Sequence, residues 1–489
     1  MSNNVWTIPK SIIKIGYGSF IPVVFFILFI DLTEITSNQY YSSGTIFLFL
    51  VSTVLIYLIA LENSVISFII SFVLTTAYTQ RFIITYFYPQ NIDFTDLLDF
   101  TQNELFYIIL YYTSSVFFIF LGLYFSRYFN GIKFSKSIKI SNFKAQDFEF
   151  INLLFFRFRT ISFLKTIVFT YVFFVFIKFL ILITTGIGFT GATHSAQESF
   201  FHWLASRSGT ISSYAFFSVL LLNQYDKKSK LYKYFLFFFI FDSVLAASRA
   251  LFLGFAQTIV ICFYVFKKSI KTKYIVYSVI FIGLFGGGYY VALTTLRGYL
   301  TNGEININSA DIFLTISAAF SQMDSLFLWV DMPKELYENS IGFFSDLAAL
   351  VNGLVIGDVI PVPDRINLGK LMVQYGRLPG FNIFDLGGHG ENPGTFAITY
   401  IYLGFYGSMV YWFLHGFLLN ILNKSEIHMF WKYALVLTYG FGPSYFLYTQ
   451  FSLLIQPIVL IIIIFVFYEI IRLILGNHRI YKKSKLFKG

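Results

Sequence analysis

Charge is scarce in this sequence. Only 12% of its 489 residues are Asp, Glu, Lys or Arg, about half the share found in soluble globular proteins. A chain that poor in charge cannot cover a water-facing surface of ordinary size, which excludes a soluble enzyme, a nucleic-acid binder and a secreted scaffold. Cysteine is almost missing: Cys262 stands alone, so neither an internal disulfide nor a cysteine metal cluster can form. There is no HExxH zinc motif and no nucleophile-elbow serine. No internal repeat is evident, and the two halves do not echo each other as in folds built from duplicated halves. Apolar and polar residues do not alternate with period two, as the strands of an outer-membrane barrel would.

What remains is apolar and aromatic. Hydrophobic residues make up 57% of the chain, with 65 Phe and 35 Tyr, and mean hydropathy is +0.70. Runs of roughly 20 apolar residues span a bilayer as helix, and lipid offers an open backbone no hydrogen-bond partner. The pattern therefore predicts an all-α polytopic membrane protein with about twelve spans, near 12–30, 44–61, 64–88, 105–126, 163–185, 209–223, 231–248, 250–266, 274–296, 396–418, 429–449 and 451–475. The first, Ile12–Ile30, lacks a small-residue cleavage site and reads as a retained span. A fourteen-span arrangement has the same sidedness and stays open.

The basic residues divide unevenly between alternate loops. Of 35 Lys and Arg, 26 fall in one set of loops and in the two ends of the chain, and seven in the other set. Arg81 and Lys178 lie within spans. The positive-inside rule then predicts that both termini are cytoplasmic. The net charge of +10 reads first as this topology signal.

One outer loop is large. It divides the chain into a membrane domain of nine helices (1–296), a loop domain (297–395) and three last helices with a basic cytoplasmic tail (396–489). The loop carries eleven acids and five bases. Asp311–Val330 and Ile341–Ile360 are fairly apolar, but Asp324 and Asp346 interrupt them. Each would cost roughly 3 kcal/mol at the bilayer centre, so these stretches read as amphipathic or re-entrant helices.

Several residues are candidates for chemistry. Arg81 and Lys178 sit at membrane depth, where a cation either snorkels to the headgroups or grips an anionic one. Arg249 stands in a tight outer turn beside Ala246, Ala247, Ser248 and Ala250. It reads as a surface anchor or as a planar fork for phosphate. Arg365, Lys370 and Arg377 are three of the five loop bases, ahead of a Gly-rich run from Gly376 to Gly394. His389 and Glu391 lie in that run, just before a helix start where backbone N–H groups attract anions. The same run also reads as a turn with incidental polar side chains. Arg297 completes a ring of bases with Arg249 and Arg377. Signals for metal are weaker: His194 and Glu198 at helical spacing with His202 near by, and Asp31 with Glu34. No metal or other cofactor is expected.

On these features the chain resembles the Wzy-type polymerases of bacterial O-antigen and capsule synthesis. The matching features are the span count, the Phe/Ile/Tyr-rich composition and one dominant outer loop before the last three spans. To these are added the Ser248–Arg249 turn and the arginines with an HGE segment ahead of TFAITYIYLGFYG. The resemblance implies a fold like the C-type glycosyltransferases. It implies metal-independent joining of undecaprenyl-pyrophosphate-linked oligosaccharide repeat units at the outer face of the bacterial inner membrane, with undecaprenyl pyrophosphate released. Implied partners are the lipid-linked donor and acceptor, membrane lipids, a chain-length regulator and a flippase, with no nucleic acid. Arg249, Arg297, Arg377, Arg365 and Arg81 would then hold the pyrophosphate, since fixed cations stabilise a leaving group that gains charge. His389 or Glu391 would take the acceptor proton. A flippase or other transporter of lipid-linked oligosaccharide, and an O-antigen ligase-like transferase, are the competing readings.

Overall fold

The computed structural model describes residues 7–8, 43–61, 67, 70–71, 74, 101–126, 160–185, 200–225, 231–246, 270–271, 326, 348, 351, 395–424, 429–436, 458–471 and 474. In chain order the elements are β1 (Thr7–Ile8), α1 (Ser43–Leu61), α2 (Gln102–Phe125), α3 (Thr160–Thr185), α4 (Phe200–Tyr225), α5 (Leu231–Ala246), β2 (Ile270–Lys271), α6 (Thr395–Lys424) and α7 (Met429–Val436). The apolar helix Ile458–Ile471 follows as α8.

Local chemistry sets the ends of α2. Thr101 Oγ1 accepts from the Glu104 N–H at 3.3 Å, and Glu104 Oε2 accepts from the Thr101 N–H at 2.7 Å. This reciprocal capping box satisfies two donors that a helix start leaves open. At the other end the Ser126 hydroxyl donates to the Leu123 carbonyl at 2.6 Å.

Two helix groups share one continuous apolar core. In the first, α2 packs between α1 and α6. Thr113 of α2 donates to the Leu48 carbonyl of α1 at 3.1 Å. Helices α2 and α6 meet backbone to backbone. A Cβ on Gly122 would collide with the Phe413 carbonyl, and one on Gly416 with the Ile119 carbonyl. Small residues at such a crossing let helices approach where lipid supplies no hydrophobic drive. Just beyond it, Asn420 Nδ2 donates to Ser126 Oγ at 2.6 Å.

In the second group α3, α4 and α5 pack together. Helix α7 lies on α4: Tyr433 stacks on Phe217 with centroids 3.7 Å apart and planes 5° apart, and its hydroxyl donates to the Ser213 carbonyl at 3.1 Å. Helix α8 reaches α3 through Phe465, edge-on to Phe163 at 5.2 Å. The outer faces stay apolar, as a lipid-facing surface requires. On α6, Tyr406, Val410, Leu414 and Leu418 form an exposed stripe at helical spacing.

The expected count of about twelve spans in a C-type-glycosyltransferase-like arrangement is corrected here. Among the described residues, four helices are long and apolar enough to cross a bilayer: Ser43–Ala60, Asn103–Phe125, Ile161–Thr184 and Thr395–Ile421. The reasons for the shortfall are visible in the sequence. Helix α4 runs for 26 residues, but its apolar part is only Ile211–Leu222, because Ser206, Arg207, Ser208 and Gly209 precede it. Helix α5 has 16 residues, and α8 shows the apolar stretch Ile458–Ile471, below the roughly 20 that cross a membrane unaided. The expected spans 12–30, 250–266 and 274–296 lie outside the described residues, as do nearly all of 64–88 and of the loop 297–395. A two-residue antiparallel pairing, Thr7 with Lys271 and Ile8 with Ile270, adds a short sheet to the otherwise helical architecture. It joins two segments that the charge pattern had put on the same side.

Candidate functional site

An ion pair lies inside the membrane bundle. Lys178 of α3 places its ammonium Nζ 2.5 Å from Asp242 Oδ1 of α5, with the lysine side chain 5% exposed and the aspartate fully buried. The same Nζ donates to Ser208 Oγ of α4 at 2.8 Å. Ser208 Oγ lies 3.2 Å from Asp242 Oδ1, and the Tyr171 hydroxyl donates to Asp242 Oδ2 at 3.2 Å. Three helices therefore converge on one carboxylate, and both of its oxygens are hydrogen-bonded.

The sequence builds this arrangement by helical spacing. Tyr171 and Lys178 are seven residues apart on α3, two turns along one face, with buried Phe174 and Val175 between them. Along α4 the inward residues Ala205, Ser208, Ser212 and Ala215 are small and buried, so α3 and α5 can come close enough for the short ammonium–carboxylate contact. Arg207, beside Ser208, is part-buried.

Depth matters as much as contact. Lys178 lies six residues before the end of the Ile161–Thr184 span, about 9 Å along the helix axis. Ser208 is early in α4, and Asp242 is late in α5. The up-down-up order of these helices puts all three at one end of the unit. At the other end stand Lys165, near the start of α3, and Lys233, near the start of α5; in sequence Lys227, Lys228 and Lys230 fall between α4 and α5.

The sequence had offered two fates for Lys178: snorkelling to the headgroups or gripping an anionic one. Neither is found. The ammonium turns inward to a carboxylate that sequence reasoning passed over. The signal was present in LYKYFLFFFIFDSVLA, where one acid interrupts an apolar run, because an acid at membrane depth calls for a cationic partner from another helix. The other sequence candidates lie outside the described residues: Arg81, Arg249, Arg297, Arg365, Arg377, His389 and Glu391. Asp242 lies seven residues before Arg249, and α6 begins four residues after Glu391.

The chain matches no family model, no curated protein and no solved structure. That result, with four membrane-length helices among the described residues, overturns the resemblance to Wzy-type polymerases. The O-antigen polymerase reading falls with it, as do the glycosyltransferase, lipopolysaccharide and capsule assignments and the competing flippase and ligase readings. The resemblance rested on a span count and on arginines in a Gly-rich segment, features too general to fix a family. What stands is a multi-pass membrane architecture.

Proposed function

We propose that this chain is a multi-pass protein of the bacterial cytoplasmic membrane, with both termini cytoplasmic, and that it receives an anionic lipid-linked ligand at its outer face. One observation carries the reading. In the α3–α4–α5 unit the charged residues Lys178, Asp242 and Arg207 lie at the end away from Lys165 and Lys233, with Lys178 paired to Asp242 and Arg207 part-buried beside Ser208. The 26-to-7 division of basic residues supports calling that end the outer one. The paired Lys178–Asp242–Ser208 junction underlies this end, and a cation such as Arg207 near an outer rim favours phosphate-bearing headgroups. A polyprenyl diphosphate, free or carrying an oligosaccharide such as the undecaprenyl-linked class, has that chemistry.

Purified protein in nanodiscs tests it. Undecaprenyl pyrophosphate should raise the melting temperature in a saturable way, since a ligand at 100 times its Kd stabilises by about 2.7 kcal/mol. Undecaprenol of the same tail length should not. Equal stabilisation by the neutral lipid, or none by the diphosphate, sinks the proposal.

A further inference from the structure

Helix α6 is broken at membrane depth. Gly404 has φ 64° and ψ −172°, a conformation open essentially to glycine alone. It divides α6 into a first part, 395–403, and a second, 405–424. A residue in that conformation cannot carry the helical hydrogen-bond ladder through itself, and Gly404 is exposed, with nothing within 4 Å of where a Cβ would stand, so no packed neighbour resists a change of angle there.

The two parts differ in setting. From Thr395 to Ile401 every residue but Tyr400 is buried, whereas the second part exposes its apolar stripe. They also differ in how α2 holds them. The second part is fixed by the Gly122–Gly416 backbone contact and by Asn420. The first part meets α2 through the ring contact of Tyr112 with Phe396 at 5.6 Å and through the hydrogen bonds of Tyr111. The Tyr111 hydroxyl donates to the Phe396 carbonyl at 2.9 Å and lies 3.0 Å from Thr399 Oγ1. Its ring bridges the break, edge-on to Tyr400 at 5.1 Å before it and to Phe405 at 5.7 Å after it. Ser115 and Trp412 flank the same hydroxyl, yet Ser115 Oγ and Trp412 Nε1 are buried without a hydrogen bond of good geometry. Buried polar atoms left in that state favour any conformation that admits water to them.

We propose that 395–403 is a gate segment that pivots at Gly404 and is latched closed by Tyr111. Opening would break the Tyr111 hydroxyl contacts and hydrate Ser115 and Trp412, while the second part of α6 stays on α2. The test is hydrogen–deuterium exchange on the full chain in nanodiscs. Tyr111→Phe keeps the ring and removes the latch. Thr399→Val removes the hydroxyl's side-chain partner and leaves Tyr111 intact. Each should raise amide exchange in 395–403 by about fivefold, the factor for one net hydrogen bond, with 405–424 and α3 changed less than about twofold. A rise shared equally between the two parts of α6, or no rise with either variant, overturns the gate.

Discussion

Replacing Asp242 by Ala would leave the Lys178 ammonium buried without its carboxylate partner. At the observed 2.5 Å separation, the Coulomb attraction is about 7 kcal/mol at an effective dielectric constant near 20. That figure is not the stability lost. Withdrawing each ion from water costs several kcal/mol, so an intact pair roughly breaks even against apolar side chains. Removing one partner forfeits the attraction and keeps the other ion's desolvation cost, about 3–5 kcal/mol in measured cases. For a chain of 489 residues that corresponds to a fall in melting temperature on the order of 3–5 °C. The assay is thermal denaturation in detergent, followed by the loss of the monodisperse size-exclusion peak. The decisive comparison is the double variant Lys178→Met with Asp242→Leu, which removes both charges and fills the space. It should melt within about 1 °C of the wild type, since the pair is nearly neutral against apolar side chains, and so clearly above Asp242→Ala. Were the double variant as unstable as the single one, the charges would not be acting as a coupled unit, and the reasoning would be wrong.

Two other changes probe the α1–α2–α6 group. Gly416→Ala puts a methyl group against the Ile119 carbonyl, where backbone cannot yield; the expected cost is about 1–3 kcal/mol of overpacking, read as a lower melting temperature. Thr101→Ala removes the capping box at the exposed start of α2. It should cost about 1 kcal/mol, with faster amide exchange confined to the first turn of α2.

Composition and charge made the class of this protein readable, because lipid is a demanding solvent. A chain so poor in charge and so rich in long apolar runs has few places to fold, and α1, α2, α3 and α6 each coincide closely with an expected span. Individual helices in the other group were not readable in the same way. Hydropathy treats α4 as a short span, but the structure makes it 26 residues, with Ser208 turned to Lys178 of α3 and Asp242 of α5. No window average separates a polar face buried against protein from one that ends a span. The expected site residues lie outside the described residues. The pairing of Lys178 with an acid 64 residues away on another helix was not legible either, because an apolar run carries no sign of which helix will pack against it. The crossing at Gly122 and Gly416 was also invisible, since a glycine in a span gives no sign of which helix it will touch.

The buried pair also bears on how α3, α4 and α5 find one register. Helix α3 is apolar on all sides: Phe169, Phe173 and Phe176 face outward while Phe163, Phe174 and Val175 face inward. In water, that symmetry would be broken by burying one face. In lipid both faces are satisfied, so apolar contact alone discriminates weakly between rotations and axial shifts of one helix against another. A lysine and an aspartate at membrane depth do discriminate. A shift of α5 by one turn would move Asp242 about 5.4 Å along the axis, breaking its contacts with Lys178, Ser208 and Tyr171 together and leaving opposite charges buried apart. The pair adds little net stability over apolar side chains, but it makes the wrong alignments expensive. Ser208 and Tyr171 sharpen that penalty by occupying the carboxylate's remaining acceptor sites from α4 and from a second level of α3. A bundle of phenylalanine-rich helices thus takes its alignment from four polar side chains at one end.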